Sequence, residues 1–474
     1  MSTENACYQP CKLTRALPAL AAFALCASQA LAQGQIASTA IEPAAGLTRI
    51  SEQLLSQTQN DQQGRSFSEL SQLIKKSFAQ SPIPAKTQRN IAANEARIEE
   101  AQAAFLPKLS TSLGAGRTDY GGSTSSNGQG DRSISASQLL YDFGLSPALR
   151  DAAKQRLTAS EQSARGEQSK LGLAMIQAVL DWQRANEAVL LADAFVQTRQ
   201  QFLDLTSARA REGMSSPFDV QRAKAKLLEA QDEVPAAQRR LQTTATRLNE
   251  LFGPQLIASS LPARFQLPNA QASSVDGKPS LSAPLPSGIK SVSAFREMQA
   301  TSEALAKELL AEQSRRWGAL NVEATHSISD AGSSFERKRS AAVVVFRSEL
   351  LSGFVQRARI RQAAARLGES QFELQRLERD LIARVETARL EWEATERIQI
   401  TRRDLLIEMR QAELSTRELF LFGRASLTDV FRAQEDFMNA AQKLLQASFD
   451  RQQAWYQWTY HQDKLLDILA IRSP

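Results

Sequence analysis

Two hydrophobic patterns alternate along the chain, and each appears twice in the same order. Over most of the length, apolar residues recur at three- and four-residue steps, as at Leu173, Ile176 and Leu180, which is the spacing of one helix face. Four short runs break that rhythm. Leu109, Thr111, Leu113 and Ala115 alternate with small or polar residues, and a run over about 132–142 carries Ser135, Ser137, Leu139 and Tyr141 on one face. Much later, Leu320, Val322, Ala324 and Ile328 alternate within 317–329, and 340–351 is centred on Val343, Val344, Val345 and Phe346. A period of two predicts strands. Polar stretches at 118–131 and 330–339 make them two β-hairpins, 106–142 and 317–351, with about ten residues per strand.

The helical segments are long. One begins near Ser66 and reaches about Phe105, broken or kinked around Pro82 and Pro84. The next covers 146–212, with Pro147 in its first turn, where a fixed φ and a missing N–H do no harm. At ~1.5 Å per residue, such a helix is a rod of roughly 100 Å. A returning helix follows at 217–251. The second half has the same order: a helix over about 290–315, the hairpin, a long helix over 353–422 and a returning helix over 427–470. In the last of these, Phe431, Met438 and Leu445 recur every seven residues beside Val430, Phe437 and Leu444, which is a coiled-coil seam. Between the halves, 253–289 holds six prolines and reads as an irregular linker, and 33–65 reads as a loose N-terminal extension.

The two halves match residue by residue at an offset of 210 positions. Ala178-Val-Leu-Asp-Trp182 aligns with Ala388-Arg-Leu-Glu-Trp392, and Gly213–Ala223 aligns without a gap with Gly423–Ala433. A register kept over so long a span marks one large module used twice, with the first repeat at 66–252 and the second at 290–470. The matched turns have defined chemistry. Gly213 and Gly423 suit a left-handed helix end. Ser216 and Ser426 then cap the returning helices, with Asp219 and Asp429 three residues on, a variant of the capping box.

Charge and composition narrow the function. The net charge is +6 with no concentrated basic block and few aromatics, so nucleic-acid binding has no support. At the N-terminus, Lys12 and Arg15 precede an apolar stretch at 16–27, and Ala30-Leu-Ala32 offers small residues for cleavage, so 1–32 reads as a secretory signal peptide processed before Gln33. A lipoprotein site at Cys26 is disfavoured by the bulky Leu25 before it, and a retained anchor by the shortness of the stretch. All three cysteines lie in that signal, which leaves the mature chain to be held by packing and assembly. No enzyme is expected: His326 and His461 lack a metal-ligand pattern or a nucleophile partner, and no glycine-rich phosphate loop is present, so neither cofactor nor metal is called for. Trp182, Trp392, Trp455, Tyr456 and Trp458 read first as packing residues between helices.

The order helix, hairpin, long helix, turn and returning helix, given twice over 66–470, resembles the TolC-like outer-membrane factor family. The residues that carry the resemblance are Leu106-Pro-Lys-Leu-Ser110, Gln138-Leu-Leu-Tyr-Asp-Phe-Gly144 and the paired turns at Gly213–Ala223 and Gly423–Ala433. The resemblance implies a mainly α fold with a small β part. Long coiled-coil helices would form a periplasmic α-barrel, and four strands per chain would contribute to a trimeric 12-stranded transmembrane β-barrel. It also implies an exit duct in the outer membrane of a Gram-negative bacterium, most of it periplasmic, serving an efflux pump or type I protein secretion. Its partners would be two further copies of the chain, a periplasmic adaptor, an inner-membrane transporter and outer-membrane lipid. Lipid would meet one face of each strand, with Val343 and Val345 as examples and the choice between the two faces left open.

The family pattern assigns the gate to the turn of the second repeat, at Asp429, with Phe420, Arg424 and Arg432 beside it. Phe420 stands where some members have a latching tyrosine, and Arg432 where a second acid can occur, so an Asp429–Arg432 pair would neutralise the acidic ring. Adaptor contacts fall on Gly213, Met214, Ser215, Gly423, Arg424 and Ala425. The rival reading is a periplasmic coiled-coil adaptor or scaffold without a membrane barrel, which accounts for the helices but not for the two hairpins.

Overall fold

The computed structural model describes residue 52 and residues 63–118, 127–253, 286–331, 336–348 and 354–471. The signal at 1–32, nearly all of the extension at 33–65 and the linker positions 254–285 lie outside the described residues. Helices α1 (Gln63–Gln80) and α2 (Pro82–Ala103) are divided at Ser81, whose hydroxyl accepts from the Ile83 N–H while Pro82 occupies the first turn. Strands β1 (Lys108–Thr118) and β2 (Asn127–Tyr141) follow, then the 67-residue α3 (Leu145–Arg211) and the returning α4 (Pro217–Phe252). After a single turn, α5 (Pro286–Ile289), the second repeat supplies α6 (Ser293–Ser314), β3 (Ala319–Ala331), β4 (Glu336–Arg347), the 67-residue α7 (Val355–Leu421) and α8 (Leu427–His461). A last turn, α9 (Leu465–Ile468), closes the described chain.

The four strands form one antiparallel sheet in the order β1-β2-β3-β4, so the two hairpins lie side by side. The register sorts its faces. Leu109, Leu113, Ile134, Leu320, Val322, Val344 and Phe346 share one face, the more apolar, with Arg132, His326 and Lys338. The other carries Ser110, Ser112, Ser133, Ser135, Asn321, Glu323, Thr325 and Ser327. On the polar face Ser110 bonds Ser135 and Ser112 bonds Ser133, each at 2.7 Å, and Arg347 pairs with Glu323 at 3.0 Å. The apolar face is open, with Leu109 and Leu113 more than three-quarters exposed.

The main core lies part-way along the rods, where both repeats meet. Ile74 and Phe78 of α1, Met175 and Val179 of α3, Leu248 and Phe252 of α4, Leu406 of α7 and Phe437 and Leu444 of α8 join one buried cluster with Leu465 and Leu469 at the C-terminal end. The heptad positions Phe431, Met438 and Leu445 and their neighbours Val430, Phe437 and Leu444 are all buried. Trp392 stacks on Trp458 with planes 4° apart and centroids at 5.2 Å. The hook at the chain end is pinned by Asp463, whose carboxylate takes hydrogen bonds from Arg165 and from the Ser293 N–H that starts α6. Burial raises its pKa, and Arg165 opposes that shift.

Three sequence expectations need correction, and the register sorts a fourth point left open. The polar stretches at 118–131 and 330–339 are not loops throughout: β2 begins at Asn127, β3 runs to Ala331 and β4 starts at Glu336, because ladder hydrogen bonds form without apolar side chains. The helix expected over 427–470 breaks after His461, where Asp463 takes a positive φ of 59° to swing the chain end back onto α3. Tyr141 does not share a face with Ser135, Ser137 and Leu139. A register shift between Leu139 and Tyr141 leaves Leu140 as the extra residue and turns Tyr141 to the apolar side, opposite Leu320. Finally, Val343 and Val345 oppose Glu323 and Asn321 on the polar face, and Val344 holds the apolar one.

Candidate functional site

The turns joining each long helix to its returning helix are built alike. Gly213, at φ 76°, and Gly423, at φ 69°, end α3 and α7 in the left-handed region where a side chain would be strained. The next amides close the ends: Met214 N–H donates to Arg209 O and Arg424 N–H to Leu419 O, both at 2.8 Å. Each returning helix then opens with a complete capping box. Asp219 N–H donates to Ser216 Oγ and Ser216 N–H donates back to the Asp219 carboxylate, at 3.2 and 3.1 Å. Asp429 and Ser426 repeat these bonds at the same two distances. Pro217 at the first helical position of α4 fits the motif.

Their surroundings differ. In the second turn Leu427, Val430 and Phe431 are buried with Phe420 against Phe202 and Ala223 of the first repeat. The Phe202 ring lies 5.4 Å from that of Phe420 and 5.5 Å from that of Phe431. Phe420 is therefore a packed core side chain at this turn, with the Arg209 guanidinium 4.9 Å over its ring. The apolar residues at the first turn stay open: Met214 and Phe218 are exposed, as is Phe422 beside Gly423. Asp429 lies on the surface with its carboxyl held below the ordinary value, first by the Ser426 hydroxyl, then by the Ser426 N–H, with the Arg432 charge as a weaker contribution. No Asp429–Arg432 ion pair forms among the described residues. Both Arg432 and Arg424 are exposed, Ser215 is half-exposed and Ala425 packs at the edge of the Phe202 cluster.

Three arginines that sequence reading did not single out join the repeats near these turns. Arg209 donates to Leu421 O at 3.1 Å, and Arg222 donates to Thr428 Oγ1 at 2.8 Å. Higher up, Arg199 is 2% exposed, donates to Gln434 at 2.8 Å and to Glu435 at 3.3 Å, and lies between the rings of Phe195 and Phe431. Burial lowers its pKa and Glu435 opposes that shift. Its signal was in the sequence: four residues after Phe195 and three before Phe202, it is a charge set into an apolar stripe.

Residues 73–254, the first repeat, match the family described as outer membrane efflux protein. That part of the chain is similar to outer membrane efflux proteins. Solved structures of similar fold extend the likeness to both repeats. CusC aligns with a TM-score of 0.72 and 16% identity, over 85% of this chain and 92% of that one. The Campylobacter jejuni CmeC outer membrane channel aligns at 0.71 and 12%, over 83% and 85%. The open state of the Neisseria gonorrhoeae MtrE outer membrane channel aligns at 0.70 and 16%, over 83% and 89%. At such identities the likeness is one of fold. No curated protein matches the chain in sequence. Within this fold the turns lie at the far end of the 67-residue helices from the sheet, and no described helix is long and apolar enough to cross a membrane.

Proposed function

We propose that the chain is the outer-membrane exit duct of a tripartite efflux pump or type I secretion system, working as a homotrimer with a periplasmic adaptor and an inner-membrane transporter. The observation that carries this reading is the open four-stranded sheet, with one face that carries Leu109, Leu113, Ile134, Val322, Val344 and Phe346 besides Arg132 and His326, and a hydroxyl-rich other face. An open sheet edge cannot face hydrocarbon, where its unpaired N–H and C=O groups find no partner. Three copies remove the problem: β4 of each beside β1 of the next gives twelve strands, with the face of Val344 toward lipid and the serine-rich face around water. The long helices, roughly 100 Å each, then reach across the periplasm.

The second-repeat turn, tied to the first repeat through Phe202, Arg209 and Arg222, is the gate in this reading, and Asp429 is its acidic ring. The exposed Met214 and Phe218, with Gly213, Ser215, Gly423, Arg424 and Ala425, form the adaptor surface. Nothing in the duct supplies energy, so the inner-membrane partner drives transport. Crosslinking of isolated outer membranes tests the assembly: a detergent-stable trimer is expected, and recovery as a soluble periplasmic monomer overturns the proposal. A deletion strain separates the cargo classes, with sensitivity to small toxic compounds marking efflux and loss of proteins from the medium marking secretion.

A further inference from the structure

The periplasmic end of the sheet differs sharply between the two repeats. Before β1 the chain reads Phe105-Leu106-Pro107, and the matching positions before β3 read Arg315-Arg316-Trp317. Trp317 is 54% exposed, with the Arg316 guanidinium 4.5 Å over its ring. Just after β4 the arrangement recurs: Phe354 is 69% exposed, and Arg357 lies 5.4 Å over it. Tyr141, Phe143 and Phe346 add exposed rings at the same strand ends, in edge contact with one another.

An arginine stacked flat on an aromatic ring keeps its N–H edge free to donate, and a guanidinium edge suits the paired oxygens of a phosphate. Arg316 and Arg357 have no carboxylate within ion-pair distance among the described residues, whereas Arg315 pairs with Glu312 at 3.4 Å. β3 lies between β2 and β4 of its own chain, so a neighbouring subunit in the sheet does not cover Arg316 and Trp317. Aromatic rings at the ends of lipid-facing strands belong at headgroup depth.

We infer that Arg316–Trp317, with Arg357–Phe354, is a binding site for the phosphate of an anionic phospholipid in the periplasmic leaflet of the outer membrane. The inference rests on the membrane-duct reading above. It confines the site to the second repeat, giving three sites per trimer. Gln356, beside Arg357, donates to Glu312 O at 2.5 Å, which brings the start of α7 against the end of α6 that leads to Arg316; the rings set the depth and the two guanidinium groups hold the headgroup.

Native mass spectrometry of the detergent-extracted trimer, titrated with phosphatidylglycerol or phosphatidylcholine, tests it. The native trimer should take up phosphatidylglycerol in preference. Arg316→Gln with Arg357→Gln should weaken that uptake about five-fold for each arginine removed. Brominated phosphatidylglycerol should quench the fluorescence of Trp317, judged against Trp317→Phe. Equal uptake of the two lipids, unchanged uptake by the double variant, or equal competition by free inorganic phosphate overturns the lipid site. Conductance of the double variant in planar bilayers is read alongside. A variant that conducts normally but has lost no lipid preference refutes the site alone, and a native protein that neither trimerises nor conducts refutes the duct.

Discussion

The two long helices are equal in length and opposite in environment. Of the 67 residues in α3, 26 are buried within the chain, and of the 67 in α7 only seven are. α3 packs along α2, α4, α6 and α8, whereas α7 is covered mainly by α8 and α6. The apolar residues of α7 are consequently left open: Phe372, Leu390, Ile398, Ile400 and Leu419 are all exposed. A duplicated module has thus diverged into a central strut for the protomer and a rod whose apolar surface is left open, to be covered by other copies in the proposed duct. Hydrophobic burial drives such association roughly in proportion to area, so α7 is where the trimer should be held.

The largest effect is expected there. Phe372→Asp combined with Ile400→Asp places two charges on surfaces that are 73% and 57% exposed in the single chain. The variant should lose the trimer completely on crosslinking and light scattering while keeping its helical circular dichroism. A variant that still trimerises would show that the exposed apolar stripe of α7 is not the subunit seam, and the contrast with α3 would lose its meaning.

The sheet offers a sharper version of the same contrast, between neighbouring residues of one strand. Val344 opposes Val322 on the apolar face, and Val345 opposes Asn321 on the polar one. Val344→Arg should cost up to about 2–4 kcal/mol per copy if that face meets lipid near the midplane, enough to block outer-membrane assembly when multiplied over three copies. Val345→Arg should assemble and alter conductance only. Heat-modifiable mobility of the trimer on gels reads both, and the reverse outcome would turn the barrel inside out.

Much of this architecture was legible in the sequence because it is periodic. The 3.6-residue pattern located both long helices, and glycine with serine three positions on located both turns. What escaped was non-local. The bulge at Leu140 depends on pairing with β3, some 180 residues away, and it alone reverses the side on which Tyr141 lies. The side on which Val343 and Val345 lie was left open for the same reason: it follows from register, which alternation in a run of four apolar residues does not set. Two of the inter-repeat arginines were missed because their partners are backbone or uncharged groups: Arg209 on Leu421 O and Arg222 on Thr428.

The smallest effect concerns the two turns, where local geometry is the same and only the surroundings differ. Asp219→Ala and Asp429→Ala each remove one carboxylate from a capping box with matching bonds, so their local structural consequences should be equal. The electrical consequences should not be. If the second-repeat turns converge on the threefold axis, Asp429→Ala removes three facing charges and should lower cation selectivity and weaken block by multivalent cations in planar bilayers, while Asp219→Ala leaves both unchanged. The pH dependence follows from the direction of the Asp429 shift. Its folded-state pKa lies below the ordinary 3.8, so its charge and its contribution to the cap are fully present above that value. Both are lost only as pH falls through the lower folded value. The cap itself should accordingly hold on acidification until the pH drops below the usual carboxylate range, as the melting of the native protein and of Asp429→Ala over pH reads. Equal changes in the two variants would leave Asp429 as a helix cap with no part in the gate.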